Sequence, residues 1–203
     1  MQKKLIWTLL LTPMLYAQTV VNVNSIPHFL YLPLHAQETD YTCGVAATRS
    51  VLHYYGIDMD ESALSLELKP TPTDGTLTKE IVTYLRKLKF HVNVGQHRTL
   101  DQIHEAVEAK LPVIVLFQAW SEKPVEDWTT DWDDGHFAVV TGFDSKRLYF
   151  MDPSNHGKYT FLTNEDFLSR WHDIDGKKRV EQLAIIVRHD SPSYHYLPFD
   201  KIY

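Results

Sequence analysis

The sequence has little cysteine, little glycine and proline, and fewer basic than acidic side chains, and each of these shortages excludes a class of protein. Its 203 residues include one cysteine, so neither an internal disulfide framework nor a zinc site of several thiolates is available. Eight glycines and ten prolines without a collagen-like period exclude a fibrous or low-complexity chain. Basic side chains number 20 against 26 acidic ones, and the net charge of −6 argues against nucleic-acid or anionic-membrane binding. The chain has 44% hydrophobic residues, which is the composition of an ordinary globular domain.

Hydrophobic runs are also short, and the first has the layout of a secretory signal peptide. Lys3 and Lys4 precede a run of about a dozen apolar residues, and Ala17 offers a small residue for cleavage. A membrane span needs about 20 apolar residues, so the run is too short to be one. We therefore expect a signal peptide over residues 1–17, a secreted or periplasmic mature protein, and no stable membrane insertion. A short N-terminal anchor is the alternative.

The rest of the chain is expected to form one domain, residues 18–190, followed by a tyrosine-rich tail, residues 191–203. Apolar periodicity predicts helices and strands, and Thr99 with Gln102 is a capping-box pattern, while Asn164 is the expected cap of the last helix. The predicted helices span 42–55, 60–68, 78–89, 99–110 and 165–171, and the predicted strands span 112–119, 136–143, 147–152, 157–162 and 182–188. Helices followed by strands indicate an α+β domain with a largely antiparallel sheet.

The single cysteine, Cys43, lies at the expected start of the 42–55 helix, after two candidate capping residues, Asp40 and Thr42. Free amide N–H groups and the positive end of the helix dipole stabilise a thiolate there, and the thiolate is the nucleophilic form of cysteine. Gly44 would allow a substrate or neighbouring backbone to approach closely. A lone cysteine is more often a buried core residue, so this position alone does not establish catalysis.

Two further features supply the partners that a cysteine nucleophile requires. Gln37, six residues before the cysteine, carries an amide that can donate to a developing oxyanion together with the Cys43 N–H. His136 begins one predicted strand and Asp152 ends the next, and a turn at residues 145–146 would join them as a hairpin. The two side chains would then be neighbours, and the carboxylate would orient the imidazole as in a catalytic triad.

An acidic, tryptophan-rich stretch precedes His136. Counting from Asp131, position six is His136 instead of the glycine of a calcium loop, so we expect no metal. We expect a cleft wall instead, with acidic residues that favour basic substrates. The residues expected to contact an extended peptide are Gly44, Gly135, Trp120, Trp128 and Trp132. The alternative is a solvated loop whose tryptophans pack on the sheet, and residues 171–173 are interpreted as packing and solvent-exposed residues.

These motifs resemble those of the double-glycine (bacteriocin-processing) cysteine peptidases, family thirty-nine of the papain-like proteases. The matching residues are Gln37, Asp40-x-x-Cys43-Gly44, Gly135-His136 and Asp152-Pro153, and the resemblance extends over about residues 30–190. It implies a papain-like α+β fold, in which an N-terminal helical part carrying Cys43 packs on a largely antiparallel sheet carrying His136 and Asp152.

The resemblance also implies a role for each residue. Cys43 would be the nucleophile, His136 the general acid–base, Asp152 its orienting carboxylate and Gln37 the oxyanion donor, with no metal or cofactor. The better-known members are domains of peptide exporters. This chain is more similar to a stand-alone exported branch, for which leader-peptide cleavage is not implied.

The leading hypothesis is therefore a monomeric, secreted or periplasmic cysteine peptidase that hydrolyses a peptide or isopeptide bond of a peptide or protein. A thiol acyltransferase or transpeptidase would use the same residues but pass the acyl group to an amine. A non-catalytic binding module on the same fold is the third hypothesis, although all four catalytic positions are filled.

Overall fold

A computed structural model describes residues 21–122, 124–155 and 158–190. The expected signal peptide and the C-terminal tail lie outside the described residues. Within these ranges, helices dominate the first half of the chain and strands the second. None of the helices in the described ranges is both long and apolar enough to cross a membrane.

The helices and strands have the following bounds. The helices are α1 (Cys43–Tyr54), α2 (Glu61–Leu68), α3 (Thr78–Lys87), α4 (Leu100–Glu108) and α5 (Asn164–Arg170). The strands are β1 (His28–Phe29), β2 (His91–Gly95), β3 (Val113–Gln118), β4 (Gly135–Phe143), β5 (Arg147–Met151), β6 (Tyr159–Thr163), β7 (His172–Asp175), β8 (Lys178–Glu181) and β9 (Ala184–Arg188).

Seven strands form one antiparallel sheet in the order β2-β9-β3-β4-β5-β6, with β1 paired to the end of β4. The hairpin β7–β8 forms a separate two-stranded sheet. Strand β3 is buried along its whole length, as expected for the centre of a sheet covered on both faces. The prediction of an α+β fold with a largely antiparallel sheet is thus confirmed.

The hairpin β4–β5 places the two polar residues of the predicted motif side by side. Its turn is closed by the Asp144 N–H, which donates to the Arg147 carbonyl at 3.0 Å. Val139 pairs with Met151, so His136 near the start of β4 and Asp152 just after β5 lie at the same end of the hairpin. The expected turn at residues 145–146 is correct.

Helix α1, which begins with the cysteine of the motif, packs against this sheet. Most of its side chains are fully buried, and its Gly44 allows the close contact. A Cβ at Gly44 would lie 2.6 Å from the Thr76 Cβ and 3.0 Å from Cδ2 of Phe137 in β4. The space beside Gly44 is therefore occupied by side chains of the protein itself.

Three local features differ from the sequence-based expectations. The cap of α5 is Thr163, whose hydroxyl accepts the Asp166 N–H at 3.1 Å, so the expected cap Asn164 is already the first helical residue. Residues 171–173 do not form a helix end exposed to solvent, because Trp171 is 1% exposed and His172 begins β7. The short strands β2, β7 and β8 are not among the predicted strands: β7 and β8 are mostly polar, and β2 is only five residues long.

Candidate active site

Cys43 is the first residue of α1, and its side chain is 7% exposed. Thr42 occupies the N-cap position, but its hydroxyl bonds within the preceding loop: it accepts the Thr39 N–H at 3.1 Å and donates to the Thr39 carbonyl at 3.2 Å. Among the described residues, no side-chain hydrogen bond caps α1, so neither Asp40 nor Thr42 forms the expected cap bond. The first-turn N–H groups beside Cys43 thus keep the partial positive charge that favours a thiolate.

His136 and Asp152 form a buried hydrogen-bonded pair. Nε2 of His136 lies 2.9 Å from Oδ1 of Asp152, and the two residues are 4% and 5% exposed. Burial, the strongest influence on His136, would lower the pKa of its imidazole. The hydrogen bond with Asp152 and the interaction with the Cys43 side chain outweigh burial and raise this pKa from 6.5 to about 9. The imidazole is therefore protonated at neutral pH.

Several donors hold the Asp152 carboxylate. Oδ1 also accepts the Ser154 N–H at 2.9 Å, and Oδ2 accepts from Nε1 of Trp120 at 3.2 Å and from the Thr160 hydroxyl at 3.1 Å. Burial, the strongest influence, would raise the pKa of Asp152, but the bonds from His136, Ser154 and Thr160 keep it below its ordinary value. Trp120 adopts a left-handed backbone with φ 62°, and its indole N–H reaches the carboxylate although the residue is 56% exposed.

Gln37 connects the loop before Cys43 to the residues after Asp152. Its backbone N–H donates to the Pro153 carbonyl at 3.0 Å, and its Oε1 accepts from the Ser154 hydroxyl at 3.0 Å. Its Nε2 donates to the Thr39 carbonyl at 2.8 Å. An amide nitrogen carries two N–H groups, so the bond to Thr39 leaves one for a further acceptor. The structure therefore brings the side chains of Cys43, His136 and Asp152 together and joins the Gln37 loop to residues 153 and 154.

The tryptophans of the acidic stretch are placed differently. The guanidinium carbon of Arg170 lies 3.8 Å from the centre of the Trp128 ring, and that of Arg179 lies 4.4 Å from the centre of the Trp132 ring. The Trp132 ring also packs on His172, with ring centres 4.4 Å apart. Both indoles pack on the protein's own side chains. Neither lines the cavity beside Asp152 or the cavity beside Cys43. This placement matches the alternative interpretation, in which the tryptophans pack on the protein instead of forming a cleft wall.

Two cavities flank the His136–Asp152 pair. The first, the apolar cavity, has a volume of about 160 Å³ and adjoins Asp152. It is lined mainly by aromatic and aliphatic side chains, including Phe117, Trp120, Phe150, Phe161 and Leu162. The second, the acidic cleft, has a volume of about 50 Å³. Its lining is Cys43, Asp74, Gly75, Thr76, Leu116, Gly135, Phe137, Asp173, Ile174 and Asp175.

Asp173 lines the acidic cleft, whereas the sequence predicts only packing and solvent exposure for residues 171–173. It is 7% exposed, and its Oδ1 accepts from Nε2 of Gln118 at 2.8 Å. Burial is the main reason that its pKa rises to about 6. A Cβ at Gly135 would collide with this carboxylate, so the glycine before His136 makes room for Asp173. No sequence motif marks Asp173, because the unpredicted strand β7 brings it to Cys43.

Comparison with known proteins identifies related sequences. The Peptidase_C39 like family matches residues 29–178. The chain is 28% identical over 160 residues to the lactococcin-A transport/processing ATP-binding protein LcnC of Lactococcus lactis subsp. lactis. It is 24% identical over 155 residues to the probable functional amyloid protease FapD of Pseudomonas fluorescens. These alignments cover 79% and 75% of this chain, but 19% of LcnC and 62% of FapD.

Solved structures show the same fold. A protein described as a C39-like peptidase from Bacillus anthracis superposes with a TM-score of 0.63 at 19% identity, covering 82% of this chain and 98% of that one. The peptidase domain of Streptococcus ComA, a bifunctional ABC transporter, gives 0.58 at 24% identity, covering 77% and 98%. A double-glycine-motif protease from a transporter, solved with its leader peptide, gives 0.53 at 18% identity, covering 79% and 94%.

Proposed function

Because the chain belongs to the Peptidase_C39 like family of cysteine peptidases, we propose that it hydrolyses a peptide or isopeptide bond with Cys43 as the nucleophile. The observation that carries the proposal is the buried His136–Asp152 pair, whose imidazole interacts with the Cys43 side chain. A buried imidazolium beside a thiol at a helix N-terminus is the environment that favours a reactive thiolate.

The reaction would proceed in two steps. The Cys43 thiolate attacks the scissile carbonyl, and Gln37 Nε2 and the Cys43 N–H donate to the oxyanion that forms. The Nε2 atom of His136 is bound to Asp152, so its Nδ1 is the nitrogen left to give a proton to the departing amine. Water, deprotonated by the same nitrogen, then attacks the thioester, releases the carboxylate product and restores Cys43.

The solved relatives, the apolar cavity and the N-terminal sequence bear on the substrate and the location. A related protease has been solved with a leader peptide, which supports a peptide as the substrate here. The apolar cavity beside Asp152 supports a substrate with an apolar residue on that side. The basic and apolar layout of residues 1–17 supports export, and we propose that the mature protein acts in the periplasm or outside the cell.

The proposal is tested by measuring the rate at which iodoacetamide alkylates Cys43 between pH 4 and 9. Cys43 is the only cysteine of the chain, so all thiol labelling reports on it. We expect rapid alkylation to continue well below neutral pH, because the imidazolium of His136 stabilises the thiolate. The His136→Ala substitution should slow alkylation at pH 6 by about tenfold or more.

The matched control is His91→Ala, which removes an exposed imidazole that pairs with Asp190. This variant should react like the wild type. A wild-type rate that falls with decreasing pH as that of free cysteine does, or that is unchanged by His136→Ala, would contradict the proposed function.

A further inference from the structure

Ser154, two residues after Asp152, bonds to two of the residues that we propose to be catalytic. Its backbone N–H donates to Oδ1 of Asp152 at 2.9 Å, and its hydroxyl donates to Oε1 of Gln37 at 3.0 Å. We propose that Ser154 is a positioning residue that holds the side-chain amide of Gln37 in the orientation that presents Nε2 to the oxyanion. This inference rests on the proposed function and extends it to a residue outside the motif of Gln37, Cys43, His136 and Asp152.

The direction of the Gln37 amide follows from the chemistry of its two neighbours. The carbonyl oxygen of Thr39 can only accept a hydrogen bond, so the end of the amide that lies 2.8 Å from it is the nitrogen, Nε2. The opposite end is the oxygen, Oε1, which can only accept, so the Ser154 hydroxyl is the donor of the second bond. The two bonds hold the amide at both ends and determine which end carries the N–H groups.

The bond from Ser154 restricts a side chain that would otherwise rotate. Gln37 is half-buried, and fixing a glutamine side chain costs conformational entropy. Without the Ser154 hydroxyl, the amide would keep the bond from Nε2 to Thr39 but lose the bond at Oε1. The second N–H of Nε2 would then be directed toward the oxyanion for a smaller part of the time. An oxyanion donor is most effective when it is already in position, because no reorganisation is then needed as the charge develops.

The hydroxyl of Ser154 projects from a backbone that is itself fixed. The preceding residue, Pro153, is buried, and the proline ring restricts its φ angle. The Pro153 carbonyl accepts the backbone N–H of Gln37 at 3.0 Å. The Ser154 N–H also holds the carboxylate that bonds His136. One residue therefore ties the position of the Gln37 amide to that of the His136–Asp152 pair.

The hydroxyl of Ser154 also strengthens the proposed donor. A hydrogen bond accepted by an amide oxygen polarises the amide, so its N–H groups become better donors. Because Ser154 donates to Oε1 of Gln37, Nε2 would bind a negatively charged oxygen more strongly than the nitrogen of an amide without this partner. Orientation and polarisation thus act in the same direction, and both depend on the hydroxyl of Ser154 instead of its backbone N–H.

The test compares two reagents that differ in their need for an oxyanion donor. Iodoacetamide alkylates Cys43 by displacing iodide from a saturated carbon, and no oxyanion forms. With p-nitrophenyl acetate, the thiolate attacks the acetyl carbonyl, a tetrahedral oxyanion forms, and p-nitrophenolate leaves as the C–O bond breaks. The product is an acetyl thioester on Cys43, which water hydrolyses to acetate. The initial burst of p-nitrophenolate at pH 7, minus the release by Cys43→Ala, measures the acylation.

Ser154→Ala removes the hydroxyl but keeps the backbone N–H that holds Asp152. We expect it to slow acylation about fivefold or more, the factor that corresponds to one hydrogen bond, and to leave alkylation unchanged from pH 4 to 9. Gln37→Ala removes the donor itself and should slow acylation about 100-fold. Ser154→Thr keeps a hydroxyl and should restore most of the acylation rate. If Ser154→Ala slows both reactions equally, its role is merely structural and the inference fails.

The Ser154 hydroxyl acts through Gln37, so its effect should disappear when the amide is absent. In the Gln37→Ala background, Ser154→Ala should therefore cause no further loss of acylation rate. Two effects that multiply in the double variant would overturn the inference. The matched control is Ser169→Ala, which removes a hydroxyl that donates to the Asp166 carbonyl in α5 at 2.8 Å and should leave both rates unchanged.

The two reagents also separate the possible failures. Suppose that His136 activates alkylation and that Gln37→Ala acylates slowly: a wild-type acylation rate in Ser154→Ala would then refute the positioning role alone. A wild-type rate in Gln37→Ala would refute the donor role of Gln37, and the role of Ser154 with it, while Cys43 remained the nucleophile. Alkylation like that of free cysteine would refute the proposed function itself.

Discussion

At the scale of single residues, the site depends on a buried imidazole that stays protonated. Burial opposes the charge of His136, but Asp152 and Cys43 raise its pKa to about 9. The pKa of His136 in the folded protein lies above its ordinary value of 6.5, so the protonated imidazole stabilises the fold fully below about pH 6.5. This stabilisation is lost as the pH rises through 9. The carboxylate that sustains the charge is itself held by Ser154, Thr160 and Trp120.

Replacing this carboxylate should change the titration of the imidazole. In Asp152→Asn the desolvation of His136 remains while its anionic partner is lost. We therefore expect His136 to titrate about one to three pH units lower than in the wild type. NMR titration of the imidazole resonance, assigned with a His136→Asn variant, measures this. The alkaline limit of peptide hydrolysis should move in the same direction.

The matched control is Asp190→Asn, which removes an exposed carboxylate paired with His91 at 3.4 Å. It should leave the titration of His136 unchanged. An unaltered His136 titration in Asp152→Asn would show that the carboxylate does not sustain the charge.

At the scale of secondary-structure elements, the sequence predicts the features that short sequence motifs determine, such as helix caps and hairpin turns. The capping box of α4 is present, with both bonds between Thr99 and Gln102. The β4–β5 hairpin follows from its turn, and with it the approach of His136 to Asp152. Strand β7 has no such signal, because three of its four residues are polar and its one apolar residue, Ile174, is exposed. The polar residues His172 and Asp173 are buried through contacts with distant residues such as Gln118. Periodicity therefore gives no indication of Asp173, whereas Cys43 lies at the start of a helix that periodicity predicts.

Helix α2 supports the loop that carries Gln37 through one buried side chain. Glu61 is 1% exposed, and its Oε1 accepts the Glu38 N–H, next to Gln37, at 2.8 Å. Its Oε2 has no partner among the described residues. The helix thus positions the loop that carries Gln37, and no motif predicts this role.

Two substitutions of Glu61 should distinguish the role of its acceptor oxygen from the role of its negative charge. Glu61→Ala leaves the Glu38 N–H without its acceptor and should lower the free energy of unfolding by about 1–3 kcal/mol. It should also slow peptide hydrolysis, because the Gln37 loop loses its anchor. Glu61→Gln retains an acceptor oxygen and should be close to the wild type in both. Urea denaturation and hydrolysis rates are the measurements, and equal effects of the two substitutions would contradict this role.

At the scale of the whole molecule, the residues that we propose to be catalytic come from two parts of the fold that must pack in the correct relative position. Cys43 and Gln37 belong to α1 and its preceding loop, whereas His136 and Asp152 belong to the sheet. The bonds of Gln37 to Pro153 and Ser154 join the parts on one side, and Gly44 joins them through its contacts with Thr76 and Phe137. The sequence predicts both parts, but their separation depends on packing between residues far apart in the chain.

Gly44→Ala tests whether this packing sets the distance between nucleophile and base. The new Cβ would lie 2.6 Å from the Thr76 Cβ and 3.0 Å from the Phe137 ring, so α1 must shift away from β4. Overpacking of this kind costs about 1–3 kcal/mol of stability. We expect the alkylation rate of Cys43 at pH 6 to fall by about tenfold or more in a protein that is still folded, since the thiolate loses its imidazolium. Gly95→Ala adds the same methyl group to β2, where the three nearest atoms belong to the flexible Arg98 side chain, and should preserve the rate. If Gly44→Ala loses stability but alkylates at the wild-type rate, the packing at Gly44 supports the fold without setting the position of Cys43 against His136.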